Sequence, residues 1–399
     1  MVDRSDRRRW VRVDHTQIGT LGGAPEDLPR IHLTRQRAIA LSLFVASAIG
    51  FLYFVLPKLT GLGQTWDRIG RGTPGWLVLA VGFEALSFAG YVALFRTVFV
   101  RDGRSRINLR TSYEITMAGL AATRLFASAG AGGVALTAWA LRRSGMPRRL
   151  VAARMVAFMT LLYAVYMLAL VLFGIGLRTR LLPGGGSFAV TIVPAIFGGV
   201  VILLALLLTR LPGQFERQIE AVSRRTTRGG KLIARLLSLP ALIGDGVRGA
   251  IGIVARRDPL ALGAIAWWGF DIATLWASFH AFGSPPPFAV IVMAYFLGMF
   301  GNLLPLPGGI GGVDGGMIGA LIAFGVNDPL AVVAVLVYRG FAFWLPTIPG
   351  AVAYFQLRRR VHGWTVADGG AAAGATRRSQ RQPAGPLAIG LDGGGELSD

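Results

Sequence analysis

Charged side chains lie deep inside several long apolar segments of this sequence, and they are the residues best placed to do chemistry. Glu84 and Asp271 each fall well inside an apolar segment, and Arg339 is similarly deep in another. An ionised group far from water costs several kcal/mol unless it is paired or wetted. These positions therefore predict a polar cavity, a proton carrier or an anion site, and the alternative is an ion pair that only locks helices together.

Three further charged residues stand close to the interruptions or ends of apolar segments: Arg124, Arg154 and Asp314. Arg154 closely follows a basic cluster, so its side chain is also placed to reach the membrane surface. Arg339 keeps its charge and needs a carboxylate, backbone carbonyls or a bound anion as its partner. We interpret these three residues, Arg339 and the two deep carboxylates as candidate substrate-binding residues. In this hypothesis Arg339 binds a lipid phosphate, and the two carboxylates balance the positive charge of the site.

The sequence offers few groups for catalysis or for metal binding. It contains no Cys, which excludes thiolate chemistry, and its four His residues are scattered at positions 15, 32, 280 and 362. Their spacing fits no metal site. We therefore predict no metal site, no cofactor and no catalytic residue.

Two apolar regions, 112–141 and 288–326, are interrupted by glycine and proline. The residues expected to break these helices are Gly130, Gly132, Gly133, Pro305, Pro307, Gly308, Gly309, Gly311 and Gly312. Two prolines in one interruption remove backbone donors and end a helix. Unpaired backbone inside a membrane is tolerated only where it is buried in protein or faces water. Close packing of small residues is the alternative, and it explains isolated glycines better than it explains the prolines.

Continuous apolar segments predict an all-α polytopic membrane protein. Only 15% of the residues are charged, against about 25% in soluble domains. Six segments are long enough to cross a hydrocarbon core of about 30 Å as helices: 38–56, 74–99, 150–176, 188–209, 259–282 and 330–356. About six full spans and two broken hairpins are expected, within a transmembrane domain at 38–360.

The distribution of basic residues predicts the orientation of these spans. The formal net charge is +21, and the basic residues flank apolar segments, which favours an anionic membrane surface over nucleic acid. The basic regions 101–110, 142–149, 210–258 and 358–360 are placed in the cytoplasm of a bacterium, with the protein in the inner membrane. Region 112–141 then begins and ends on the cytoplasmic side, as a re-entrant hairpin does.

Both chain termini are expected in the cytoplasm, outside the membrane domain. Residues 1–37 are interpreted as a basic tail and 361–399 as a disordered tail, whereas the basic loop 210–258 has room for a surface helix.

The order of elements predicts an inverted repeat with halves at about 74–176 and 259–356. Each half contains a span, a broken hairpin and a second span, and the span 188–209 reverses the second copy. The triplet Gly-Phe-Glu at 82–84 resembles Gly-Phe-Asp at 269–271, and the glycine-rich run at 130–133 resembles the run at 309–312. Transporters built on this plan bind substrate near the midplane of the membrane.

The motif at 302–316, together with 325–329 and Tyr338-Arg339, resembles the signature of the lysylphosphatidylglycerol synthase transmembrane family. The layout of 38–360 is similar throughout, whereas the specific motif is confined to about 302–339. The resemblance implies a flippase-like, lipid-translocating domain, and the absence of a following aminoacyl-transferase domain argues against lysine transfer. The resemblance also implies an acidic residue shortly after the glycines, and Asp314 is the candidate, at a different position from the glutamate expected in the family.

The leading hypothesis is a flippase-like transporter that translocates or handles an anionic lipid or lipid-linked headgroup. Two alternatives stay open at this stage. One is a membrane-embedded enzyme acting on a lipid-linked substrate, with Asp314 or Glu114 as acid or base, and the other is an accessory subunit of a cell-envelope pathway. Membrane lipids are the expected partners, while a second copy of the chain and an envelope-biosynthesis protein remain open.

Overall fold

A computed structural model of the chain describes residues 72–100, 106–125, 131–210, 228–304 and 309–381. The side chains of 125, 228–238 and 365–381 are outside that description. The predicted tail 1–37 and first span 38–56 lie outside the described residues, as do 382–399 and the break residues Gly130, Pro305, Pro307 and Gly308.

All regular structure in these ranges is helical. The α-helices are α1 (Pro74–Phe99), α2 (Leu109–Leu125), α3 (Ala131–Arg143), α4 (Arg148–Arg178), α5 (Phe188–Leu208), α6 (Arg228–Ala255), α7 (Gly263–Phe282), α8 (Phe288–Met299), α9 (Gly312–Ala323), α10 (Asp328–Arg339) and α11 (Leu345–Arg381). Short 3₁₀ turns at Pro259–Leu262 and Phe300–Leu303 adjoin α7 and α8, and a π-helical turn, Gly340–Trp344, joins α10 to α11.

Five helical segments among the described residues are long and apolar enough to cross a membrane: Pro74–Phe99, Arg148–Arg178, Phe188–Leu208, Pro259–Phe282 and Asp328–Trp364. They coincide with five of the six predicted spans. Helix α5 leaves many large apolar side chains exposed, including Ile196 and Leu204, as a lipid-facing helix does. The chain is an all-α polytopic membrane protein.

Both interrupted regions form helical hairpins whose arms pack at glycine. In the first hairpin, Gly119 of α2 lies against Gly133 of α3. In the second, Gly301 lies against Gly312, and Gly298 against Met317. The arms α2 and α3, with 17 and 13 residues, are about 26 and 20 Å long at 1.5 Å per residue, which is short of a membrane thickness.

The first helices of the two predicted halves pack against each other in opposite directions. Helices α1 and α7 run antiparallel, since Thr73 N–H donates to the Ala281 carbonyl (3.0 Å) and Ser87 Oγ donates to the Trp267 carbonyl (2.8 Å). The first arm of each hairpin packs on the closing helix of the other half: α2 on α11, and α8 on α4. This exchange brings residues from both halves to one central site.

Two segments are more helical than the sequence indicated. Helix α6 occupies most of the loop 210–258 and packs against α4 and α5. Ala250 on its inner face is 3% exposed. Helix α11 continues to Arg381 into the predicted disordered tail, because an alanine-rich stretch favours continuation of a helix that tertiary packing has already nucleated.

The predicted orientation can be tested because the chain has no Cys. Cysteines introduced separately at Arg149 and Arg358, which are both exposed, are expected to react with a membrane-impermeant maleimide only from the cytoplasmic side. A cysteine at exposed Leu181, between α4 and α5, is the matched control and should react only from outside. Labelling of Arg149→Cys from outside would contradict the cytoplasmic re-entry of the first hairpin.

Candidate functional site: a polar cavity between the two halves

A cavity of about 720 Å³ lies where the two halves meet. Its walls come from both hairpins and from α1, α4, α7 and α10. Four of the six predicted site residues line it: Glu84, Arg124, Asp271 and Arg339. The sequence places these residues up to 255 positions apart, and the exchange of hairpins between the halves brings them together.

Glu84 of α1 and Asp271 of α7 form an acidic pair at the centre of the site. The two residues are 4% and 7% exposed, and their side chains are within hydrogen-bonding reach of each other. The hydroxyls of Tyr295 and Tyr338 (3.2 Å) both donate to Asp271 Oδ2. Thr274 Oγ1 lies 3.4 Å from Glu84 Oε2. Each half therefore contributes one carboxyl group to the pair.

Arg124, at the end of α2, is held by the π-helical turn. Its Nη1 donates to the Phe343 carbonyl (3.1 Å) and its Nη2 to the Ala342 carbonyl (2.8 Å). A π-helical turn displaces carbonyls from the regular α-helical hydrogen-bond pattern and is frequent at functional sites. The guanidinium also lies 5.3 Å from the ring centre of Phe343. These contacts fix a permanent positive charge beside the acidic pair.

Arg339, the last residue of α10, is paired with Asp314 of α9. Arg339 Nε lies 2.5 Å from Asp314 Oδ1, and the two side chains are 8% and 1% exposed. Asp314 Oδ2 also accepts the Gly311 N–H (2.8 Å) at the start of α9. The sequence had left the partner of Arg339 open between a carboxylate, backbone carbonyls and a bound anion. Asp314 takes that place because the turn before α9 brings it beside α10.

The other predicted site residues lie apart from the acidic pair. Among the described residues, those lining the cavity include neither Arg154 nor Asp314. Arg154 Nη1 donates to the Phe99 carbonyl at the C-terminus of α1 (3.1 Å), where a cation complements the helix dipole. Of the predicted break residues, Gly133 and Gly309 line the cavity.

A second charged cluster joins α2 to α11. Arg360 donates through Nε (2.6 Å) and Nη2 (2.7 Å) to the two carboxyl oxygens of Glu114, which is fully buried. Arg110 Nε lies 3.2 Å from the same carboxylate. Glu114 and Asp314, the two candidate acid/base residues of the enzyme hypothesis, are thus both engaged in ion pairs with arginine.

An apolar cavity of about 740 Å³ adjoins the polar one. It lies between α4, α5 and α6, where Ala205, Val247 and Ala250 are among its lining residues. The two cavities share part of their walls, at Val134, Met155, Met159 and Tyr163. The polar and the apolar cavity are therefore direct neighbours.

Sequence reasoning did not identify the tyrosines and the apolar cavity. Tyr295 stands in the otherwise apolar helix Phe288–Met299, and a lone hydroxyl in such a helix is the signal that could have indicated it. Tyr338 immediately precedes Arg339 and was noticed only as part of a motif. The apolar cavity gives no sequence signal, because most of its lining residues are ordinary Val, Ala, Ile, Met and Leu on four separate helices.

A family model for the lysylphosphatidylglycerol synthase TM region matches residues 38–350, which is most of the chain. The chain belongs to this family. Its sequence is also similar to membrane proteins of Methanothermobacter thermautotrophicus (strain Delta H) described as "UPF0104 membrane protein". One is 32% identical over 115 residues, covering 27% of this chain and 34% of the relative.

Two further relatives with the same description match shorter stretches. One is 34% identical over 91 residues, covering 22% of this chain and 27% of the relative, and the other is 30% identical over 91 residues, covering 23% and 26%. Each alignment thus spans about a third or less of the relative. Membership of the lysylphosphatidylglycerol synthase transmembrane family agrees with the resemblance found at 302–339.

Proposed function

We propose that this protein is a lipid transporter of the bacterial inner membrane that binds the phosphate headgroup of an anionic lipid in the polar cavity and carries it across. The observation on which this proposal rests is the adjacency of the two cavities. One contains two arginines and an acidic pair, and the other is lined by hydrocarbon. An anionic lipid has two matching parts, a charged headgroup and hydrocarbon chains, side by side.

The headgroup is assigned to Arg124 and Arg339 because both guanidinium groups line the polar cavity. A guanidinium carries five N–H donors in a planar fork that matches phosphate geometry. The N-terminus of α3 supports this assignment, since Ala131 and Gly133 also line the cavity and a helix N-terminus favours an anion.

A lipid is favoured over a soluble phosphate because of the apolar cavity. Transfer of an acyl chain into hydrocarbon surroundings stabilises the complex by about 0.8 kcal/mol per buried CH₂ relative to water. Transport of a soluble anion would leave this space without a role. Location in the inner membrane with cytoplasmic termini belongs to the same proposal.

The enzyme hypothesis has less support from the geometry. Its candidate acid/base residues, Glu114 and Asp314, are engaged with Arg360 and Arg339 respectively. A general acid or base must reach a substrate proton within hydrogen-bonding distance. Transport requires no such group, so the arrangement favours the transporter.

Replacement of Arg124 by glutamine tests the proposal. With the protein reconstituted in liposomes, translocation of fluorescent phosphatidylglycerol should fall by about ten-fold or more, because a charge-assisted hydrogen bond contributes about 1.5–3 kcal/mol. Ala205→Trp, which fills the apolar cavity, should slow translocation as well. Arg359→Gln, at an exposed position of α11, is the matched control and should retain the wild-type rate.

Ligand competition distinguishes a lipid headgroup from a soluble phosphate as the ligand of the polar cavity. Excess phosphatidylglycerol should inhibit translocation of the fluorescent lipid, whereas glycerol phosphate should have little effect. Equal inhibition by both compounds would assign the site to a soluble phosphate. Translocation no faster than in protein-free liposomes, with the protein shown to be folded, would count against transport itself.

A further inference from the structure

The acidic pair, Glu84 and Asp271, must hold a definite number of protons, and lipid binding alone does not specify that number. Glu84 and Asp271 are both more than nine-tenths buried, and they face each other as two hydrogen-bond acceptors. Two carboxylates in contact, away from bulk water, repel each other strongly enough that one of them retains a proton. The geometry around each oxygen indicates where that proton is held.

The tyrosines identify Asp271 as the ionised member. Both hydroxyls, from Tyr295 and Tyr338, donate to the same oxygen, Oδ2, as expected for a carboxylate that accepts several hydrogen bonds. Asp271 Oδ1 is buried and, among the described residues, meets no protein donor. A proton on Glu84 supplies the donor that this side of Asp271 lacks, so the pair holds one proton and one negative charge.

The groups facing the pair come from three other helices. They are Arg124 of α2, Tyr295 of α8 and Tyr338 of α10, and Arg339 lies next to Tyr338 and Arg124. The charge of Arg339 is balanced by Asp314. With one proton on the pair, the charge of Arg124 balances the remaining negative charge, and the empty site is close to neutral.

Entry of a singly charged phosphodiester would upset this balance. The site would then hold one uncompensated negative charge in surroundings of low dielectric constant, which is costly. Arginine is already fully protonated, and the tyrosine hydroxyls can only lose protons. The carboxylate of Asp271 is the group facing the site that can accept a proton and restore neutrality.

We infer that binding of the lipid phosphate draws one proton from solvent onto the acidic pair, so that the lipid and the proton occupy the site together. This inference rests on the proposed function and adds to it a means of coupling. A carrier loaded with both would move lipid in response to a proton gradient. On release, the proton returns to solvent and the pair is again singly protonated.

Proton uptake can be counted directly. Phosphatidylglycerol is titrated into the full-length protein in detergent, in buffers of different ionisation enthalpy, by calorimetry. The phosphodiester stays ionised near neutral pH, so protons taken up are bound by the protein. About one proton per bound lipid is expected, with affinity falling by up to about ten-fold per pH unit as the pH rises.

The double variant Glu84→Gln/Asp271→Asn locates the proton. It is neutral from the start, as the pair becomes when the lipid binds, so it should bind phosphatidylglycerol with no proton uptake and with affinity independent of pH. Arg359→Gln, at an exposed position of α11 outside the site, is the control and should still take up a proton.

The outcomes separate this inference from the proposed function. Lipid binding by the wild type without proton uptake would overturn the coupling and leave lipid binding intact. Proton uptake that persists in the double variant would assign the proton to another group and overturn the role of the pair. Absence of lipid binding by the folded wild type would overturn the proposed function, and the coupling with it.

Discussion

Replacing Arg339 with glutamine is expected to lower the free energy of unfolding by about 3–5 kcal/mol, the usual cost of removing one partner from a buried ion pair. The carboxylate of Asp314 is 1% exposed and would remain without its counter-ion. The same variant should also weaken lipid binding, since Arg339 lines the polar cavity. Thermal unfolding in detergent and lipid titration on one preparation measure both effects.

A second variant separates the ion pair from the ligand site. Asp314→Asn combined with Arg339→Gln removes both charges, while the Asn side-chain oxygen can still accept the Gly311 N–H. Most of the lost stability should return, but lipid binding should remain weak. If the double variant is no more stable than Arg339→Gln, the two charges are not energetically coupled. Arg359→Gln, on the exposed face of α11, should change neither quantity.

The second large effect is expected at Gly90, where α1 and α7 approach most closely to build the site. A methyl group at this position would lie 2.7 Å from Ala266 Cβ and 2.9 Å from the Trp267 backbone nitrogen. Gly90→Leu should therefore push the helices apart and cost about 3 kcal/mol or more. Because these helices carry Glu84 and Asp271, the contact between the two carboxyl groups should be lost as well.

Gly82 provides the matched control for Gly90. It lies on the same helix, but it is exposed and a methyl group there would meet nothing within 4 Å. Gly82→Leu should be tolerated, because leucine is favourable on a lipid-facing surface. Thermal unfolding of the two variants gives the comparison. Equal losses of stability would show that glycine is required for a reason other than helix contact.

The sequence alone determined the spans and the residues that could not be ordinary lipid-facing positions. Hydrophobic length is a local property, so Pro74–Phe99, Phe188–Leu208 and the other described spans follow from composition. A charged residue deep in an apolar segment requires a compensating partner whatever that partner is, which is why Glu84, Asp271 and Arg339 stood out before their partners were known.

The partners themselves were decided only by tertiary structure. Arg339 pairs with Asp314, 25 positions away, and Arg154 binds the end of α1. Several acceptors were compatible with each arginine, and the choice depends on which helices cross. The π-helical turn that holds Arg124, Gly340–Trp344, was likewise not predicted from the sequence.

The sequence also did not show which helices of the two halves pack against each other. Element order predicted an inverted repeat, but it did not predict that α2 packs on α11 and α8 on α4. That packing brings Arg124 of α2 to the carbonyls of the π-helical turn, whereas the apolar cavity forms where α4, α5 and α6 pack beside the polar one. Apolar patterning shows that a side chain avoids water, while the shape of the space between helices depends on how their backbones cross.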